Sequence, residues 1–287
     1  MSTNERAVRA GGRIDDKALS GGDLIFRHRL STRIWHWVNV FAVFIMLMSG
    51  LMIFNAHPRL YWGQYGADQD PAWLEIGSTE QDGYLRLGDL RVTTTGVLGR
   101  WTGEDGNVSS LAFPGWATIP SHYDLAGARA WHFAFAWLLV VPGLLYWLWS
   151  FINRHVQRDL APKHGELAPR HIWKDIKDHA RLRFPAGAAA RNYSILQKLS
   201  YVVLLFLLLP LTVLSGLTMS PMMDTAWPWL LDLFGGRQSA RSIHFIVATL
   251  IVAFIIVHLV MVVLAGPINE VRSIITGWYR LPKEKDA

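Results

Sequence analysis

The 287-residue sequence contains no cysteine. That absence excludes disulfides, iron–sulfur clusters, thiolate zinc sites, thioether-attached prosthetic groups and cysteine nucleophiles together. Any metal must be held by His, Met or carboxylate. No His-Glu-x-x-His occurs, so the zinc-protease signature is missing. The long apolar runs hold no Asp or Glu, which counts against a transporter or proton channel that relays through its histidines. Net charge is +6. Such a balance can mark a nucleic-acid binder, but here its placement reads as membrane topology and no nucleic acid is expected.

What is present is apolar sequence in runs of about 20 residues, the length of one transmembrane helix. The chain is 51% hydrophobic. Four spans are expected, over 34–54, 131–151, 199–219 and 242–264. The expected fold is an all-α integral membrane protein, a four-transmembrane-helix up-down bundle. Residues 1–25 are polar, rich in Gly and Arg, and expected to form a disordered tail. The membrane domain covers 26–280. Pro142 and Pro210 lie inside spans, where neighbouring helices can satisfy the freed carbonyls.

Basic residues give the orientation. The 153–197 connection carries nine Lys or Arg against four acids. The 55–130 loop carries five Arg against nine acids. The N-terminal tail and, more weakly, the C-terminus are also basic. Both termini and the 153–197 loop are therefore expected in the cytoplasm. The long 55–130 loop is expected in the periplasm of a bacterial inner membrane. It is rich in aromatics, among them Trp62, Trp73 and Trp101, which read as an interfacial belt or as a docking surface. The stretch PRHIWKDIKDHARLRF is amphipathic and basic and is expected on the membrane lipid surface. Its neighbourhood histidines, His164, His171 and His179, read as solvated.

The fourth span organises the rest. His244 and His258 are 14 residues apart, about 40° short of four full helical turns, so both leave one face. They stand about 21 Å apart along the axis. His36 opens the first span and His132 the second. With the expected topology the four sort into two depths, His36 with His258 on the cytoplasmic side and His132 with His244 on the periplasmic side. Each pair comes from two helices, as bis-histidine axial ligation of haem iron requires. The plainer reading is histidines hydrogen-bonded in a bundle core.

Arg-x-x-His recurs at Arg33–His36, Arg129–His132 and Arg241–His244. Residues three apart share a helix face. Each Arg lies one turn nearer the aqueous edge, where a guanidinium can pair with a haem propionate. Any one of them alone reads equally well as an ordinary membrane-edge anchor.

These residues resemble the di-haem cytochrome b proteins of the bacterial cytochrome b561 and Ni,Fe-hydrogenase b-type group, with thiosulfate-reductase-type cytochrome b subunits nearby. The resemblance covers about Phe26 to Arg280 and rests on RIWHW, RAWHF and the His244–His258 spacing. It implies two haem b held by His36, His132, His244 and His258, a quinone site, and a redox partner. Asn192, Gln197 and Lys198, at the cytoplasmic edge of the third span, are candidates for the quinone, although they also read as an ordinary polar flank. The implied function is electron transfer between a quinone pool and a periplasmic redox enzyme, a molybdenum enzyme first and a hydrogenase second. The alternative is a self-contained cytochrome b561-type oxidoreductase that exchanges electrons directly with superoxide or ascorbate. The long first loop departs from the shortest family members.

Overall fold

The computed structural model describes residues 7–8, 21–103, 106–154, 156–183, 185, 190 and 193–282. Most of the expected 1–25 tail lies outside them. Strand β1 (Ala7–Val8) pairs in parallel with β2 (Leu24–Phe26). Helix α1 spans Leu30–Asn55. Strands β3 (Arg59–Leu60), β4 (Leu74–Ser78), β5 (Gly83–Leu87) and β6 (Leu90–Thr93) form an antiparallel meander in that order. A hairpin of β7 (Trp101–Thr102) and β8 (Val108–Ser109) follows. Then come α2 (Leu125–Ile152), α3 (Pro169–Ala180), α4 (Ile195–Val203), α5 (Leu209–Thr218), α6 (Pro221–Ala226) and α7 (Trp229–Phe234). Helix α8 (Arg237–Ala265), α9 (Pro267–Thr276) and β9 (Trp278–Arg280) complete the chain, with β9 antiparallel to β2.

Four helical stretches are long and apolar enough to cross a membrane: Leu30–Asn55, Leu125–Ile152, Ile195–Thr218 and Arg237–Ala265. The fold is that of a mostly helical membrane protein with four candidate spanning helices, and it departs from the expected all-α class by its short strands. Large apolar side chains on these helices are exposed, among them Phe44 at 60% and Val257 at 61%. In water such a surface would be an aggregation liability; in hydrocarbon it is the lipid contact.

Ser194 caps the third span: its hydroxyl accepts the Gln197 N–H, and the Gln197 side chain accepts the Ser194 N–H. This reciprocal capping box starts the helix at Ile195. The same span is not uniform. Between α4 and α5 lies a π-helical stretch, Leu204–Leu208. Pro210 accounts for it, since proline lacks an N–H and its ring crowds the carbonyl four residues back, so the turn widens.

The chain divides into two compact units. The first comprises Met1–Trp37, Pro142–Leu207 and Ile251–Ala287, and the second Val38–Val141 and Leu208–Leu250. Within the second unit, the 55–130 segment is a β cap; a connection of that length is expected to be functional or a small cap. Its core is Phe54, Leu60, Leu74, Ile76 and Ala112. Trp73 and Trp101 belong to the cap itself. The Trp73 indole donates to Ser242 Oγ at 2.9 Å and the Trp101 indole to Leu111 O at 3.1 Å. Trp62 is 55% exposed and Trp116 78%.

Under the meander, Glu75 is only 5% exposed. It accepts the Tyr84 hydroxyl at 2.9 Å, the Arg59 Nε–H at 3.0 Å, and Arg86. Burial opposes its ionisation, but hydrogen bonds from Tyr84, Arg59 and Arg86 outweigh that and hold the carboxyl below its ordinary value. A lowered folded pKa contributes stability that is full above the unfolded value and is lost as pH falls through the folded one. Hydrogen-exchange protection factors in β4 and β5 are therefore expected to fall as pH drops below about 4, and Glu75→Gln to remove that dependence. Protection that stays flat in the wild type would show that Glu75 is not the acid-sensitive link.

Candidate functional site

The four histidines are delivered by α1, α2 and α8. In the first unit, His36 and His258 face each other with ring centroids 6.4 Å apart and planes at 56°. In the second unit, His132 and His244 do so at 6.3 Å and 58°. A first-row metal bound about 2.0–2.1 Å from each imidazole nitrogen, with each centroid about 1.1 Å behind, puts trans centroids about 6.3 Å apart. Both pairs therefore hold the spacing of two imidazoles on one metal ion. All four rings are half-buried. Among the described residues no three His, Cys, Asp or Glu side chains converge to hold a metal. Two nitrogen donors per site, with the remaining positions left to the group itself, is the donor set a porphyrin needs.

The second-unit pair is fixed by its neighbours. His132 Nδ1 lies 3.1 Å from Met46 O and 3.2 Å from Ser49 Oγ. His244 Nδ1 lies 3.0 Å from Thr212 O and 3.1 Å from Ser215 Oγ. A carbonyl can only accept, so each Nδ1 carries the proton and each Nε2 presents its lone pair. Beside each serine is a glycine. A Cβ on Gly50 would stand 3.4 Å from the His132 ring, and one on Gly216 3.3 Å from the His244 ring. Span one and span three thus offer the same device, Ser-Gly-Leu, to a histidine on another helix. Ser49, Ser215 and Gly216 are not singled out by the sequence alone. The repeated Ser-Gly-Leu at 49–51 and 215–217 was the available signal.

The first-unit pair is framed by aromatics. Phe254 stacks on His258 at 5.9 Å and 10°, and Trp37 meets His36 edge-on at 5.4 Å. Among the described residues, none hydrogen-bonds the buried His36 Nδ1. Nearby, Trp35 is 7% exposed, stacks on Tyr146 at 5.7 Å, and lies where a side chain on Gly143 would be.

The arginines are placed less uniformly than their motif. Arg33 donates to Ile275 O and Arg241 to His57 O. Arg129 is exposed, with its guanidinium 5.8 Å from the Phe133 ring centroid. Of the quinone candidates, Asn192 lies outside the described residues. Gln197 is engaged in the Ser194 capping box. Lys198 is buried and donates to both Glu166 oxygens at 2.8 Å. That bond from Lys198 holds the Glu166 carboxyl below its ordinary value. His179 is not solvated as expected, since its Nδ1 lies 2.8 Å from Asp175 O.

The model of one family, the prokaryotic cytochrome b561 proteins, matches residues 27–277. The chain belongs to the prokaryotic cytochrome b561 family. It is a multi-pass membrane protein of electron transport, a cytochrome b, and haem b is its cofactor. A relative from Azospira oryzae, named putative protein-methionine-sulfoxide reductase subunit YedZ1, is 28% identical over 232 residues, which is 81% of this chain and 87% of that one. No solved structure matches. For this cytochrome b561 family member, the spacing of each histidine pair fits haem iron.

Proposed function

We propose that the protein carries electrons from a quinone pool to a redox enzyme on the periplasmic side of a bacterial inner membrane. His36 and His258 would hold one haem b, His132 and His244 a second. The observation that carries this reading is the imidazole spacing, 6.4 Å in one pair and 6.3 Å in the other. When bound between two histidines, each haem would supply a one-electron carrier, and a second imidazole would favour electron transfer over oxygen chemistry. The chain's own part is to fix the imidazoles, set their tautomer through Met46 O and Thr212 O, and surround them with apolar helix.

The positive-inside reading places both termini and the 153–197 loop in the cytoplasm. It places the β cap in the periplasm, where Trp62 and Trp116 are open for docking. The name of the Azospira relative favours a sulfoxide-reducing enzyme as partner and gives no support to a hydrogenase. We take that partner to be a molybdenum enzyme. Reducing a sulfoxide consumes two electrons and two protons, so electrons would flow outward from quinol. Arg33, Arg129 and Arg241 are proposed for the propionates, which means that Arg33 and Arg241 exchange a main-chain carbonyl for a carboxylate. The quinone is proposed at the start of the third span, near Asn192. There it competes with the capping bond of Gln197 and the ion pair of Lys198.

The pure protein is expected to show two haem b per chain in a pyridine haemochrome assay, both low-spin and both reduced by a quinol analogue in liposomes. One haem per chain, or haem that quinol leaves oxidised, overturns the proposal.

A further inference from the structure

Helix α3 takes no part in the electron path, yet it is firmly placed. Its half-buried side carries Ile172, Asp175, Asp178 and His179. Asp175 accepts the Leu196 N–H at 3.0 Å. Leu196 is the second residue of α4, so α3 is held at the aqueous end of the third span. The turn before α3 is tied to the same place by the Glu166–Lys198 pair at 2.8 Å. That level of a spanning helix is where lipid headgroups lie.

The opposite side of α3 carries Arg170, Trp173, Lys174 and Lys177. Their spacing of i, i+3, i+4 and i+7 puts them on one helix face. All four are exposed, and His171 stands beside them. The Lys177 ammonium is 5.4 Å from the Trp173 ring centroid. Arg181 and Arg183 prolong the basic stretch and are also exposed. The two acids of the helix do not neutralise this face. Asp175 is turned inward and bonded to Leu196, and Asp178 is half-buried. Along its edges, Leu167 is 45% exposed and Ile176 38%.

We propose that this face binds the phosphate groups of anionic phospholipids in the leaflet at that end of the third span. A tryptophan flanked by cations suits the boundary between headgroup and acyl chain. The basic face complements an anionic leaflet, and the tie to Leu196 sets it at headgroup height. Leu167 and Ile176 face the acyl boundary, and the cations reach outward to phosphate. The inference rests on the third span crossing the membrane and is independent of which redox partner the cytochrome serves.

The test is native mass spectrometry of the full-length protein released from mixed micelles of phosphatidylglycerol and phosphatidylcholine. The wild type is expected to retain phosphatidylglycerol in preference. Each cation near an anionic lipid surface is worth about fivefold in affinity, so Arg170→Gln/Lys174→Gln/Lys177→Gln should lose on the order of a hundredfold. The single variants Lys174→Gln and Lys177→Gln, each expected at about fivefold, cover the case in which the triple variant is unstable. The haem absorption spectrum, carried by histidines on other helices, monitors folding. Equal retention by wild type and variants overturns the proposal, as does a wild type with no preference. Displacement of the bound lipid by excess inorganic phosphate also overturns it, by assigning the face to free phosphate.

Discussion

Replacing His36 or His258 with alanine is expected to remove one and the same haem spectral component, and replacing His132 or His244 to remove the other. The pairing follows from geometry. Each pair closes to the spacing of two imidazoles on one metal, and each pair lies inside one compact unit. Loss of either imidazole should be severe, because no other His, Cys, Asp or Glu joins either pair among the described residues. The surviving component serves as the internal control for folding, since its own two ligands are untouched. Reduced-minus-oxidised spectra at low temperature resolve the two components. If His36→Ala and His132→Ala abolished the same component, the pairing would be wrong. If each variant only broadened both, the histidines would be packing residues and not ligands.

The second large effect is expected at the glycines. Gly50→Val and Gly216→Val should each weaken binding of the haem proposed between His132 and His244 and leave the other in place. The Cβ positions, 3.4 and 3.3 Å from the rings, are already at the limit of ordinary contact. Alanine at either site fits if the ring gives by a few tenths of an ångström. The helix itself gains about 1 kcal/mol from losing a glycine, so the alanine variants should be near neutral. Valine adds two methyls beyond a Cβ whose nearest neighbour is already the imidazole. Overpacking of that kind costs about 1–3 kcal/mol, equivalent to roughly 5- to 150-fold weaker haem retention. Titration of haem into apoprotein measures it. Valine variants with full haem and unchanged affinity would remove both glycines from the site.

The four spans and the four histidines were legible because they rest on coarse signals. Apolar length fixes a span, and helical arithmetic on His244 and His258 fixes a shared face. The supporting atoms were not legible for a physical reason. Met46 O and Thr212 O are main-chain carbonyls, and any residue type supplies one. Gln197 drew a functional reading although Ser194-x-x-Gln197 is a capping-box pattern, and a cap is the commoner use of that spacing. Lys198 reads as a polar flank until Glu166, 32 residues earlier, is seen beside it. The strands of the β cap were not legible because they are only two to five residues long. One of its turns was readable, since Gly88-Asp89 between Leu87 and Leu90 is a two-residue hairpin signal.

The cap is fastened to the first turns of α8. Ser242 Oγ donates to Tyr61 O at 2.5 Å and receives the Trp73 indole at 2.9 Å. Ser239 Oγ accepts the Gly63 N–H at 2.7 Å, and Arg241 holds His57 O. These anchors lie within one turn and a half of His244 on the same helix. The cap is thus fixed to the helix that carries His244 and is not a swinging lid. A protein seated on Trp62 or Trp116 would find its electron donor at a separation built into the fold, with no search through loop conformations before each transfer.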